Sequence, residues 1–421
     1  MKIVIAAKSV YPFHPVGGVQ KYAYYLAKHL IKEGVDVEVV APLDQGKPRK
    51  EIYEGINYTL LWPSIYWYLE YPVGWLGVHI FSRVLARYLR TKDFDLLHSF
   101  DMTGYQYLKV SNRKPVIAQI YTDNYLSNPI SSRNPFNLLS LFGCKTENIK
   151  QRKVTISPFA DTQTVLRYPA QYFLKAKPMH FCLEEANAVF LEEDIFQEEV
   201  AGLFKIPFSK CATLPVGIDM SLINERMKRP GVSRKDVGLN DDNLVLLTVN
   251  RLAADKGVDK IILAFSEIAK ALPKARLLII GEGYQKKELQ ALILKKGLER
   301  KILSFERITE EKLFDFYKLS DIYICAFSYP GSSMSTLEAM ACGLPVVTTA
   351  QPWLVSGGKN GVILKDNDPA LIQEAVLALA RDGHLKQKGE ISRVIALRYD
   401  WLNIAKTAKA RYENIIYQKK A

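Results

Sequence analysis

The stretch Ser328-Tyr-Pro-Gly-Ser-Ser-Met-Ser-Thr-Leu-Glu338-Ala-Met-Ala-Cys-Gly343-Leu-Pro-Val-Val-Thr-Thr349 joins a loop of glycine and hydroxyl residues to a short helix with one carboxylate and then to an apolar strand. The loop offers backbone N–H groups at a helix N-terminus, where the dipole favours anions. Glu338 falls one turn into the helix, within reach of a diol such as ribose. Gly343 stops the helix, and Leu344 to Thr349 reads as the next strand. The combination suits a phosphorylated sugar nucleotide.

Working outward, strand and helix signals alternate almost throughout, which predicts an α/β protein with parallel sheets covered by helices. In the first half, Lys2 to Ala7 reads as a strand. A helix follows in which Val19, Tyr22, Ala23, Leu26, Ala27 and Leu30 recur at helical spacing until Gly34. Val35 to Val40, Phe94 to Leu97, Val116 to Ile120 and Ala188 to Leu191 read as further strands, and 121–180 carries no clear pattern. The polar stretch Asn224 to Asp242 reads as a linker plus a loop. A second set of alternations begins at the strand Leu244 to Val249. It continues through a helix from Val258 to Ile268, a strand from Arg276 to Ile280 running into Gly281-Glu-Gly283, a strand at Leu303 to Phe305, a helix from Glu310 to Leu319 and a strand from Ile322 to Ala326. The final segment, after a candidate N-cap at Asp400, places Trp401, Ala405, Ala408, Tyr412 and Ile415 on one helical stripe.

A chain of 421 residues with 48% hydrophobic content has room for two or three domains with their own cores. Five widely spaced cysteines without a Cys-x-x-Cys pair suggest neither a disulfide framework nor a zinc knuckle, and fit a reducing cytoplasm. No signal-peptide layout and no transmembrane span are expected. The 57 Lys+Arg against 44 Asp+Glu give a net charge of +13. No nucleic-acid-binding motif accompanies that charge, and the basic residues are spread, so nucleic acid is not an expected partner. A membrane surface is an expected contact, because Trp62, Tyr66, Trp67, Tyr68, Tyr71 and Trp75 lie ahead of a helix with Arg83, Arg87, Arg90 and Lys92. An aromatic core segment followed by a solvated helix face is the equal alternative.

Several short motifs carry candidate chemistry. Arg251 and Lys256, in Asn250-Arg-Leu-Ala-Ala-Asp-Lys-Gly257, follow the first strand of the second half, at the edge where open α/β sheets bind ligands. Two fixed cations there would meet a diphosphate and neutralise charge growing on a leaving group; a basic loop paired with Asp255 or Asp259 is the structural alternative. Gly17-Gly18 lets backbone approach a ligand at a helix N-terminus, although Gly-x-Gly-x-x-Gly is absent, which argues against a nicotinamide dehydrogenase. Gly281-Glu-Gly283 reads either as a ligand loop or as a tight turn. His98, in Asp95-Leu-Leu-His-Ser-Phe-Asp101, ends a strand and by itself reads as a loop anchor, and Asp101 as a loop cap.

These motifs resemble the family 4 glycosyltransferases, retaining enzymes of the GT-B fold, in which a Glu-x7-Glu pair is followed by Ala-Met-Ala-x-Gly-x-Pro-Val-Val. The second half matches here nearly letter for letter, while Pro330 stands at the first glutamate and Ser333 at the glycine three residues on. Arg251 and Lys256 match the family's Arg-x4-Lys-Gly, Gly17-Gly18 its Gly-Gly-Val, and Gly281-Glu-Gly283 its Gly-Asp-Gly. Phe100 replaces the second residue of a frequent His-x-His. The resemblance implies two Rossmann-like domains facing across a cleft: residues 1–220 completed by 400–421, whose helix crosses back, and a donor domain of 221–399. It implies a nucleoside-diphosphate sugar as donor, a glycan or lipid-linked acceptor, no cofactor, no metal and no side-chain nucleophile, in a cytoplasmic protein at or near the membrane face. Arg251, Lys256, His98 and Asp101 would be catalytic. Gly17, Gly18, Gly281, Gly283, Gly331, Ser332, Ser333, Met334, Ser335, Thr336 and Glu338 would bind the donor. With Pro330 and Phe100 altered, a catalytically weak donor-binding partner subunit is the rival reading, and a sugar-nucleotide epimerase fits the layout without the Ala-Met-Ala-Cys-Gly helix.

Overall fold

The computed structural model describes residues 1–14, 18–43, 47–61, 73–120, 145–147, 153–155, 172–306, 308–328, 333–349 and 351–420. Gly17, Pro330, Gly331, Ser332, the aromatics from Trp62 to Tyr71 and most of 121–180 therefore lie outside the described residues. The chain forms two compact units, one of Met1–Pro215 with Leu402–Ala421 and one of Val216–Trp401, divided at 215 and 401 where the sequence suggested 220 and 400. Among the described residues no helix is long and apolar enough to cross a membrane.

The first unit is built on eight strands: β1 (Lys2–Ala6), β2 (Asp36–Pro42), β3 (Arg49–Tyr53), β4 (Ile56–Leu61), β5 (Leu96–Phe100), β6 (Val116–Gln119), β9 (Ala188–Leu191) and β10 (Cys211–Thr213). A separate antiparallel pair is formed by β7 (Lys145–Glu147) and β8 (Lys153–Thr155). The large sheet runs in the order β10-β9-β6-β5-β1-β2-β4-β3 and is parallel apart from the β3–β4 pair. Ile3 to Ala6 are fully buried, as a strand covered on both faces requires. Helix α1 (Gly18–Lys32) buries Tyr22, Ala23, Leu26, Ala27 and Leu30, the stripe its spacing predicts.

The sequence reading missed β3, an edge strand whose residues are mostly exposed. Its hairpin closes through Glu54 and Gly55, both with positive φ, the conformation a two-residue turn demands. The expected strand at Phe94 to Leu97 also shifts toward the C-terminus, to Leu96–Phe100. Asp95 is taken up at the strand's entry, where its carboxylate accepts from the Lys2 N–H at 2.8 Å.

The second unit contains β11 (Leu244–Val249), β12 (Ala275–Ile280), β13 (Ile302–Phe305), β14 (Ile322–Cys325), β15 (Val346–Thr348) and β16 (Gly361–Ile363). They form one parallel sheet in the order β13-β12-β11-β14-β15-β16, so the winding reverses between β11 and β14. Two apolar cores fill its faces, one centred on Val245, Leu247, Tyr323 and Leu337 and the other on Leu246, Leu277, Phe265 and Ile324. The expected linker at Asn224 to Asp242 is corrected. Its first part belongs to a helix, Met220–Lys228, capped by Asp219 and docked by the buried Met220 and Ile223. Arg234 then anchors the chain through two 3.0 Å contacts to Asp321.

Candidate functional site in the second unit

The strand order reverses between β11 and β14, and the C-terminal ends of strands at such a reversal are where doubly wound sheets take ligands. Three segments meet there: the loop 250–257 after β11, the loop 281–285 after β12, and the start of helix α9 (Met334–Ala341) after β14.

The first loop holds the cations. Arg251 has 67% of its side chain exposed and sits 3.6 Å from Asp255. Lys256 is mostly covered. Its Nζ lies 3.2 Å from the same carboxylate and 4.0 Å from the centroid of the Phe327 ring. The pairing with Asp255 raised from the sequence is therefore present, and it orients both cations while leaving Arg251 open. Asp255 also fastens the loop to the end of β14, since the Ser328 N–H donates to its carbonyl at 3.1 Å.

The Gly281-Glu-Gly283 loop is explained by backbone packing. Gly281 has φ +151°, and a Cβ there would lie 1.8 Å from the Asn250 carbonyl oxygen; one on Gly283 would lie 2.2 Å from that of Leu252. The loops are stitched together by the Leu252 N–H to Glu282 carbonyl bond at 2.9 Å and the Gln285 N–H to Leu252 carbonyl bond at 3.1 Å. The two glycines bring the loops into contact and offer no side chain to a ligand.

Helix α9 is fixed by its hydroxyls. Ser333 caps it, accepting from the Thr336 N–H at 3.3 Å, and shares a hydrogen bond with the Ser335 hydroxyl at 2.9 Å. Ser335 Oγ donates to the Val249 carbonyl at 2.9 Å and accepts from Tyr323 at 2.9 Å, while Thr336 is fully buried. Of the hydroxyls expected to meet a donor, that of Ser335 thus ties the helix start to the end of β11, and that of Thr336 is enclosed with its fully buried residue. Met334, the first helical residue, is half-buried. Glu338 lies one turn further on, half-buried, and accepts from the Tyr317 hydroxyl at 2.9 Å. Tyr317, which no sequence motif marks, is fully buried, so the hydroxyl stays protonated and remains a donor. The helix ends as predicted at Gly343, in left-handed backbone at φ +85°, with the Leu344 N–H bonded to the Ala339 carbonyl. This cap holds Leu344, so the following strand is shorter than expected, Val346–Thr348.

The first-unit candidates behave differently. Gly18 opens helix α1. His98 is corrected from a catalytic imidazole to an interior one. It lies within β5, fully buried, with Nδ1 2.6 Å from the Tyr412 hydroxyl and Nε2 2.8 Å from Gln119 Oε1. Burial pushes its pKa down to about 3, against which the Gln119 bond acts. The neutral ring then donates from Nε2 to Gln119 and accepts at Nδ1 from Tyr412. Phe100 stacks on it at 4.9 Å, so the replacement of a second histidine fills a core position. Asp101 is buried with φ +52° and pairs with Lys8 at 3.0 Å.

Comparison with known proteins agrees with this architecture. The family model Glycosyltransferase Family 4 matches residues 16–222, and Glycosyl transferases group 1 matches residues 232–392. The chain belongs to the family 4 glycosyltransferases. It spans about half the length of the curated relatives it matches. Against an uncharacterized glycosyltransferase of Methanocaldococcus jannaschii it is 28% identical over 229 residues, 53% of this chain and 58% of that one. Among solved structures, a sucrose-phosphate synthase of Thermosynechococcus elongatus superposes with a TM-score of 0.74 at 17% identity, covering 99% of both chains. The Anabaena protein HepE, solved in complex with UDP-glucose, gives 0.65 at 16% identity, covering 98% of this chain and 100% of that one. The fold is GT-B.

Proposed function

We propose that this chain transfers a glycosyl group from a nucleoside-diphosphate sugar to a hydroxyl of a glycan or lipid-linked acceptor, with retention of configuration. The observation that carries the reading is the open Arg251 beside Lys256 and their shared Asp255, at the strand-order reversal of a parallel sheet. One carboxylate against two cations leaves net positive charge where a pyrophosphate would lie. The named Anabaena neighbour was solved with a nucleotide sugar, which supports the same class of ligand here.

In this reading Arg251 and Lys256 bind the pyrophosphate and stabilise the charge that develops on its β-phosphate as the glycosidic C–O bond breaks. The freed phosphate oxygen takes the proton of the acceptor hydroxyl. The acceptor oxygen bonds to the anomeric carbon on the same face, and nucleoside diphosphate and glycoside result. No side-chain nucleophile is required, and the two cations supply the positive charge without calling on a metal. Glu338, held by the Tyr317 hydroxyl, accepts from the ribose hydroxyls. The wall formed by Gly281 and Gly283 keeps the Arg251 loop in place.

The surface of helix α2 (Val73–Arg90) supports a peripheral membrane role. Arg83, Arg87 and Arg90 are exposed at helical spacing with the exposed Leu76, a face suited to anionic headgroups. Flotation with anionic but not neutral vesicles is the expected outcome. The reading of the enzyme is tested by incubating the protein with uridine, guanosine, adenosine and thymidine diphosphate sugars. Release of nucleoside diphosphate from at least one is expected. A protein that binds none of them, as read by thermal shift, would refute the reading.

A further inference from the structure

We propose that Tyr284 is the nucleobase platform of the donor site and so a determinant of donor affinity; this rests on the reading of the second unit as a nucleotide-sugar site. A pyrophosphate at Arg251 leaves a nucleoside to be accommodated beside it, and a base needs a flat apolar surface to shed water from its faces. Among the described residues of the second unit, the exposed large apolar side chains are Tyr284, Leu294, Ile363, Val394 and Leu397, of which Tyr284 is the aromatic one. Leu294, Val394 and Leu397 belong to helices or helix ends, and Ile363 ends the edge strand β16, away from the reversal.

Tyr284 stands at the ligand edge of the sheet. It is 76% exposed, yet its hydroxyl is anchored, accepting a 3.0 Å hydrogen bond from the Ala254 N–H in the loop that carries Arg251 and Lys256. The backbone on either side is fixed by the bonds of Leu252 to Glu282 and Gln285. An exposed ring held at both ends loses little freedom when a base stacks on it, which is the condition for a productive platform. Every base has a π-face, so the platform raises affinity for nucleoside diphosphates in general and leaves discrimination among bases to edge contacts. Bare pyrophosphate, having no base, gains nothing from it.

The test is calorimetric titration of the full chain and its Tyr284→Ala, Tyr284→Phe and Tyr284→Trp variants with UDP, ADP and inorganic pyrophosphate. Tyr284→Ala is expected to weaken UDP and ADP about tenfold or more and to leave pyrophosphate affinity unchanged. Tyr284→Phe keeps the ring and should stay within about threefold of the parent, and Tyr284→Trp should recover most of the loss; such changes follow from stacking. The inference is overturned if Tyr284→Ala binds UDP and ADP as tightly as the parent. It is equally overturned if pyrophosphate weakens in parallel, because the tyrosine would then act only by holding the cationic loop. A parent chain that binds pyrophosphate but neither nucleotide sinks this inference alone, whereas one that binds none of the three sinks the nucleotide-sugar reading with it.

Discussion

Both sheets reverse their winding between two parallel strands, and the polar groups at the two reversals are disposed in opposite ways. In the first unit, the residues just beyond β1 and β5 neutralise each other: Lys8 lies 3.0 Å from a buried Asp101. The imidazole of His98, on β5 itself, is consumed by Tyr412 and Gln119. In the second unit, the residues beyond β11 and β14 leave charge available, with two cations sharing Asp255 and Arg251 turned to solvent. The same backbone solution thus carries mutually satisfied polar groups in one case and, in the proposed reading, an anion site in the other. The topology marks where a ligand can sit, and only the side chains at the strand ends decide whether one is wanted.

The sharpest way to break this contrast is Arg251→Ala combined with Lys256→Ala. Each charge-assisted contact to a phosphate is worth about 1.5–3 kcal/mol, so the double variant should lose at least about a hundredfold in kcat/KM for the donor. Arg251 is exposed, so its removal should barely move the thermal midpoint, and any fall in the double variant reflects the mostly covered Lys256 packed on Phe327. Activity within about tenfold of the parent would mean that these cations do not carry the site.

His98→Asn probes the other side of the comparison and should do the reverse. Donor affinity stays unchanged, while stability at neutral pH falls by about 2 kcal/mol as the Tyr412 and Gln119 partners are left unmatched. The parent chain should also show a pH dependence that this variant lacks. The folded pKa of His98, about 3, lies below the ordinary value, so the unfolded chain takes up the proton first. Stability from this group is complete above about pH 6.5 and is lost as pH falls toward 3, by on the order of a few kcal/mol. Denaturant unfolding at a series of pH values measures it.

Gly281→Ala should rank next, costing about 2 kcal/mol or more, because its Cβ would strike the Asn250 carbonyl in backbone that favours glycine. Weakened donor binding should accompany the loss, since the Arg251 loop must move. The smallest expected effect belongs to Tyr317→Phe, which removes the hydroxyl donated to Glu338. Affinity for nucleoside diphosphate should drop about fivefold, corresponding to about 1 kcal/mol, with pyrophosphate unaffected.

Much of the fold is legible in the sequence because parallel strands buried on both faces read as apolar runs, and the helices between them carry period-3.6 stripes. Leu244–Val249, Ala188–Leu191 and the helix Glu310–Leu319 have the boundaries their residues predict. The exposed strand Arg49–Tyr53 leaves no such mark, since its apolar content is slight and pairing with β4 alone defines it. The helix Met220–Lys228 hides in a polar stretch because two buried side chains and an Asp219 cap suffice to dock it. In the candidate site, Arg251, Lys256 and Glu338 stand out as charges at strand ends and a helix start. The roles of His98 and Tyr317 depend on Tyr412 and on Glu338, contacts made only by tertiary folding. Spacing along the chain carries no information about either.

The central claim is that the cations beyond β11 hold the pyrophosphate of a nucleotide. Its most direct test is calorimetric titration of the full chain with UDP, ADP and GDP set against uridine, adenosine and guanosine. The account predicts that at least one nucleoside diphosphate binds, that its nucleoside binds at least about a hundredfold more weakly, and that Arg251→Ala with Lys256→Ala removes the difference. Nucleoside and diphosphate binding with equal affinity, or a double variant that keeps the full preference for the diphosphate, would contradict it.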